Sequence, residues 1–288
     1  MFAVPHTTPG DWPTDIPAGR MAASIQRDKI EGCQIALLGL PDDLGVSLNH
    51  GRRGAALGPT AFRSLLVTYG VEQPEFPRVF DAGDVVPAET LEATHTRVTA
   101  ATTALLDAGL FPIAIGGGHD LTFPFVRAVA AKHAGLAGLY FDAHLDVREG
   151  EGSGMPFRRL VETCGVSALH LHGFRPLVNS QAHCDWFLQH GGTLYPDGSP
   201  VALPEAENLF VSFDLDVLDG SQAPGVSARN PAGWCVREAE PWVRAAGANP
   251  AVRSFDLMEL NPRHDLDQRT ARIAAHLFLT FLQGFSQR

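Results

Sequence analysis

Short, continuous apolar runs alternate along the chain with longer stretches of helical period. Runs at 33–40, 78–80, 111–115, 136–141, 168–171, 209–213 and 253–257 are predicted as strands. Stretches at 59–68, 91–108, 122–133, 156–162, 181–190, 236–246 and 268–283 are predicted as helices. Strands without a polar side, each followed by a helix, indicate a mostly parallel sheet buried on both faces. The expected architecture is therefore three-layer α/β/α. The stretch 191–204 reads as a loop within one alternation, so residues 1–288 are read as a single domain. Residues 1–22 form an irregular N-terminal arm, rich in Pro, Thr and Asp.

In open parallel sheets, ligands bind beyond the carboxyl ends of the strands, and four of the predicted strands end in groups that could hold one. One runs into Gly116-Gly117-Gly118-His119, and another into Asp142-Ala143-His144-Leu145-Asp146. A third leads to Asp214-Leu215-Asp216, and the last to Asp256-Leu257-Met258-Glu259. In extended chain, residues i, i+2 and i+4 share a face, so Asp142, His144 and Asp146 converge, as do Asp214 and Asp216. A lone D-x-D is ordinarily a solvated loop, and Gly-rich turns are common. Three such endings, each behind its own apolar strand, are not explained that way.

Burying these carboxylates without cations costs several kcal/mol per ion. Only Arg148 lies close to the motifs in sequence, so metal ions are the economical partners. Oxygen-rich ligands with two imidazoles suit Mn²⁺ best, ahead of Fe²⁺, Co²⁺, Ni²⁺ or Zn²⁺. Two ions roughly 3.5–4 Å apart would activate a water for hydrolysis at carbon or phosphorus.

Composition narrows the setting. The 288 residues are 45% apolar and 19% charged, with a formal charge of −10 from 22 basic and 32 acidic residues. Lys29 and Lys132 are the only lysines, and no basic run exists to track a phosphate backbone, which argues against nucleic acid. No apolar run reaches the roughly 18 residues of a membrane span. Cys33, Cys164, Cys184 and Cys235 form no C-x-x-C pair, against zinc ribbons and for a reduced, cytoplasmic protein.

These motifs resemble the metal signatures of the ureohydrolase superfamily, the arginase, agmatinase and formimidoylglutamase group. The resemblance extends to Gly51-Arg52-Arg53-Gly54, Ala223-Pro224-Gly225 and Glu259-Leu260-Asn261-Pro262. It implies an arginase-like catalytic domain with a mainly parallel eight-stranded sheet and two Mn²⁺ per subunit. By the same resemblance His119, Asp142, Asp146 and Asp214 hold one ion. Asp142, His144, Asp214 and Asp216 hold the other, with Asp142 and Asp214 bridging. Asp146 would carry a proton from the attacking hydroxide to the departing amine, and Glu259 would pair with the substrate's amidinium. The family often forms homotrimers or hexamers.

Within the superfamily, Ser153-Gly154-Met155-Pro156-Phe157 resembles the formimidoylglutamase branch, because Ser153 stands where arginases carry a histidine. Asp146-Val147-Arg148, Gly118 and Asn49 point the same way. That branch hydrolyses N-formimidoyl-L-glutamate to L-glutamate and formamide, in histidine degradation. A dicarboxylate substrate needs cations, for which Arg52, Arg53, Arg148 and Arg175 are candidates, with Asn49 and Ser153 beside them. The alternative is a guanidino hydrolase releasing urea, which acidic Glu149 and Glu151 would suit. A catalytically silent binding relative and a single-zinc deacetylase are the other classes. His50, His170 and His172 lie near strand ends, whereas His95, His183 and the remaining histidines carry no expected role.

Overall fold

The computed structural model describes residues 2–70 and 76–288. In chain order the first elements are β1 (Thr7–Thr8), α1 (Met21–Ser24), β2 (Ile35–Leu40), α2 (Leu44–Leu48), α3 (Gly58–Leu66) and β3 (Val79–Val85). Next come α4 (Leu91–Asp107), β4 (Phe111–Gly116), α5 (Thr122–Lys132), β5 (Leu136–Phe141), α6 (Pro156–Cys164) and β6 (Leu169–His172). The last are α7 (Gln181–Gln189), β7 (Gly192–Tyr195), β8 (Asn208–Asp214), α8 (Val236–Ala248), β9 (Val252–Met258) and α9 (Arg269–Phe285).

Among the described residues the strands make one nine-stranded sheet in the order β1-β3-β2-β4-β9-β8-β5-β6-β7. β1 is antiparallel to β3, and the other eight strands run parallel. Although the strands are apolar throughout, alternate residues feed different cores. Ile35, Leu37, Ile113, Leu139, Val211 and Phe255 pack with α3, α8 and α9 on one face. Ala36, Leu38, Ala114, Tyr140, Phe210 and Met258 pack with α4, α5, α6 and α7 on the other. This is the three-layer α/β/α arrangement.

The structure corrects the sequence reading at the sheet's edges. β7 lies inside the stretch expected to be a loop. It pairs only with β6 and is partly exposed, so it needs no continuous apolar run. The arm is likewise not wholly irregular, because Thr7 and Thr8 pair with Val85 and Asp84. β3 runs beyond its predicted end through Asp81 and Asp84, whose charges hid it. Both carboxylates pair with the buried guanidinium of Arg63, at 2.9 and 2.7 Å.

β4, β9, β8 and β5 are consecutive neighbours in the middle of the sheet. They are the four strands with the ligand-rich endings, which brings those endings to one edge.

Candidate metal centre

The glycine run after β4 serves backbone packing. Gly117 donates its N–H to the Leu40 carbonyl and accepts from the Glu259 N–H, each at 2.9 Å. A Cβ on it would stand 1.9 Å from the Asp42 carbonyl oxygen, so only glycine fits. The close approach delivers His119 to the centre of the sheet edge, buried.

His119 Nδ1 faces three carboxylate oxygens, Asp146 Oδ2 at 2.9 Å, Asp214 Oδ2 at 3.0 Å and Asp142 Oδ2 at 3.2 Å. His144 Nδ1 faces Asp216 Oδ2 at 3.1 Å and Asp142 Oδ1 at 3.3 Å. Two ligand groups result, His119–Asp142–Asp146–Asp214 and Asp142–His144–Asp216. Asp142 belongs to both through its two oxygens. Asp214, expected to bridge, groups with the first set alone.

The convergence has a different local origin from extended-strand alternation. Asp142 Oδ1 accepts the His144 N–H at 2.6 Å, and Asp214 Oδ1 accepts the Asp216 N–H at 2.7 Å. Each motif is thus an aspartate-initiated turn, in which the carboxylate organises the backbone two residues on. Asp146 and Glu259 complete the geometry in the left-handed region, at φ 47° and 66°. Non-glycine residues settle there only when their surroundings hold them.

The electrostatics of the cluster suit a cation. His119 Nδ1, Asp142 Oδ2, Asp216 Oδ1 and Glu259 Oε2 are buried and lack a hydrogen-bond partner, a state that buried polar atoms seldom tolerate. Burial, then the Asp146 and Asp216 charges, raises the Asp142 carboxyl, and burial, then the Asp216 and Asp142 charges, raises that of Asp214. Burial pushes Glu259 up to about 7, against the hydrogen bond from the His119 N–H. Burial alone would pull His119 and His144 down, but the surrounding aspartates raise both well above the ordinary range. Imidazole nitrogens mixed with carboxylate oxygens suit a pair of divalent cations of the Mn²⁺ type.

The cluster floors a cavity of about 310 Å³. Asn49, Arg52, Arg148, Ser153 and Glu259 line it, as do His50, Asn179, His183 and Ser227. Arg148 Nη1 donates to Asn49 Oδ1 at 2.6 Å, and Asn49 Nδ2 donates to Ser153 Oγ at 3.1 Å. Asn49 is thereby tied to both ends of the 148–153 loop along one wall.

Arg53 and Arg175, also expected at the substrate, do not line the cavity. Arg53 holds the buried Asp43 carboxylate, and Arg175 pairs with Asp197 at 2.8 Å. His170 bonds the Tyr195 hydroxyl, and His172 packs between Tyr195 and Trp242. His183, given no role from sequence, stands on the wall. Its position one turn into α7 was visible, but not the direction in which that turn faces.

An arginase family profile matches residues 33–283, and the chain belongs to the arginase family. Among curated relatives, formimidoylglutamase of Ralstonia nicotianae is 34% identical over 277 residues, covering 87% of this chain and 85% of that protein. Formimidoylglutamase of Aromatoleum aromaticum is 35% identical over 288 residues, covering 88% and 84%. The crystal structure of Trypanosoma cruzi formiminoglutamase with Mn²⁺ superposes with a TM-score of 0.87. It is 33% identical and covers 95% of this chain and all of that one.

Proposed function

We propose that the chain hydrolyses N-formimidoyl-L-glutamate to L-glutamate and formamide at a binuclear manganese centre. The carrying observation is the cavity itself, with buried, unpartnered Asp and His ligands on its floor and guanidinium groups on its wall. The similarity to formimidoylglutamases over most of both chains supports this substrate.

His119, Asp142, Asp146 and Asp214 would hold one ion, and Asp142, His144 and Asp216 the other. When bound, the ions supply a water activated for attack and positive charge beside the reacting carbon. Glu259 orients the substrate: its Oε1 is fixed by the His119 N–H at 2.9 Å, leaving Oε2 free for the cationic formimidoyl group. That ion pair polarises the carbon and aligns it. Asp146, more open to the cavity than Asp142 or Asp214, receives a proton and passes it to the departing glutamate nitrogen. Arg148, with Asn49 and Ser153, and Arg52 on the adjoining wall receive the two carboxylates.

Among the described residues no helix is long and apolar enough to cross a membrane. We place the enzyme in the cytoplasm as a homotrimer or hexamer, checked by fractionation and light scattering.

The test is hydrolysis after manganese loading, with N-formimidoyl-L-glutamate, arginine, agmatine and 4-guanidinobutyrate assayed side by side. Formamide and glutamate from the first alone are expected. Urea from any of the others would overturn the substrate assignment.

A further inference from the structure

Asn179 follows β6 and the tight turn Pro176–Val178, yet its side chain reaches the 142–146 loop. Its Oδ1 accepts the Leu145 N–H at 2.9 Å. Its Nδ2 donates to the Ala143 carbonyl at 2.9 Å and to the Arg175 carbonyl at 2.8 Å. The carboxamide is thus engaged as acceptor and as donor, mostly by another segment's backbone.

Ala143 and Leu145 alternate with the ligands Asp142, His144 and Asp146. Holding the Ala143 carbonyl and the Leu145 N–H fixes the peptide planes on either side of His144. From the opposite side the buried Tyr140 hydroxyl donates to the Leu145 carbonyl at 3.0 Å. Leu145 is therefore held by both backbone groups, between the core and Asn179.

The loop requires such help. It contains no helix or strand, and it ends at Asp146 with φ 47°. A non-glycine residue keeps that conformation only when contacts around it over-determine it.

We infer that Asn179 is a positioning residue for the metal centre, an amide staple that holds His144 and Asp146 in their ligating directions. The inference rests on the metal-centre reading above. It also says which ion depends on the staple more. Without the loop's hold on His144 and Asp146, the first ligand group keeps His119, Asp142 and Asp214. The second keeps only Asp142 and Asp216, so the second ion is the more exposed to the loss.

The test is Mn²⁺ titration calorimetry on metal-stripped protein without substrate, with the electron paramagnetic resonance of the loaded form. Wild type is expected to take two ions and to give the signal of a coupled pair. Asn179→Leu, close in size but unable to hydrogen-bond, is expected to bind the second ion about 10–100-fold more weakly. Its spectrum should shift from the coupled pair to isolated Mn²⁺ at equal metal. Tyr140→Phe, which frees the other side of Leu145 without changing the core's shape, is expected to weaken the same ion. A wild type binding two ions and either variant, folded by circular dichroism, binding the second with wild-type affinity would overturn the inference. Fewer than two ions on wild type would instead overturn the metal-centre reading beneath it.

Discussion

Ser212 Oγ lies 3.1 Å from His119 Nε2 and donates its own proton to Asp256 Oδ1 at 2.6 Å. With that hydroxyl proton committed to Asp256, Oγ can only accept from the imidazole, so the proton of neutral His119 sits on Nε2. Nδ1 is left as a lone pair aimed at Asp142, Asp146 and Asp214. Hydrogen bonds of this kind set the tautomer and orientation of a ligating histidine. Ser212→Ala should weaken the His119 ion by about 10–100-fold, read by competition with a fluorescent chelator. An unchanged affinity would mean that packing alone orients the ring.

Removing the metal should reverse the effect of rising pH at the centre. Burial raises Glu259 to about 7 and holds Asp142 and Asp214 above their ordinary values. Groups raised on folding stabilise the fold fully below their unfolded values, near 4, and that contribution is lost as pH rises through the folded ones. Between pH 5 and 8 the stripped centre should therefore lose stability, while metal binding strengthens as its ligands deprotonate. The gap in Tm between loaded and chelator-treated protein should widen with pH. A gap that narrows over this range contradicts the assignment.

Glu259→Gln keeps an oxygen for the His119 N–H but removes the charge facing the substrate. A kcat loss on the order of 100-fold is expected, as for removal of one preorganised electrostatic contact. Two bound ions should remain, counted by elemental analysis. Wild-type turnover would remove Glu259 from the mechanism.

Arg148→Ala should act on binding. Its guanidinium is exposed at the cavity mouth, where solvent screens it, so a rise in KM of about tenfold is expected, equal to ~1.4 kcal/mol. Initial-rate kinetics at fixed manganese separate this from a kcat effect. The reverse split would place Arg148 at the reacting carbon.

Arg63 tests the fold away from the site. It is buried with Asp81 and Asp84, and Asp81 also accepts the Trp12 indole N–H. Arg63→Met leaves two carboxylates without their cation, at a cost of about 3–5 kcal/mol. Urea denaturation should show it, with the metal content of the folded fraction unchanged.

Much of this was legible along the chain. Buried parallel strands are apolar on both faces, so the central strands and their helices stood out. The ligand motifs were legible because several carboxylates behind an apolar run demand a cation wherever they fold. The edge strand Gly192–Tyr195 was not, because a strand buried against only one neighbour leaves no continuous apolar run. Nor were Arg53 and Arg175 separable from Arg148, since a charge in a sequence does not announce which carboxylate will take it.

The sequence by itself determined the layered architecture, the candidate ligand set and the chemistry such a set permits, because burial and charge balance act on residue types in order. Only the tertiary structure decided that β4, β9, β8 and β5 lie side by side, so that motifs far apart in the chain share one edge. It also decided that Asp142 faces His119 with one oxygen and His144 with the other, and that His183 and Asn179 join the wall. Those outcomes depend on strand order, on the facing of a helix turn and on where a side-chain amide finds a partner. Such long-range relations are set by packing, which spacing along a chain does not encode.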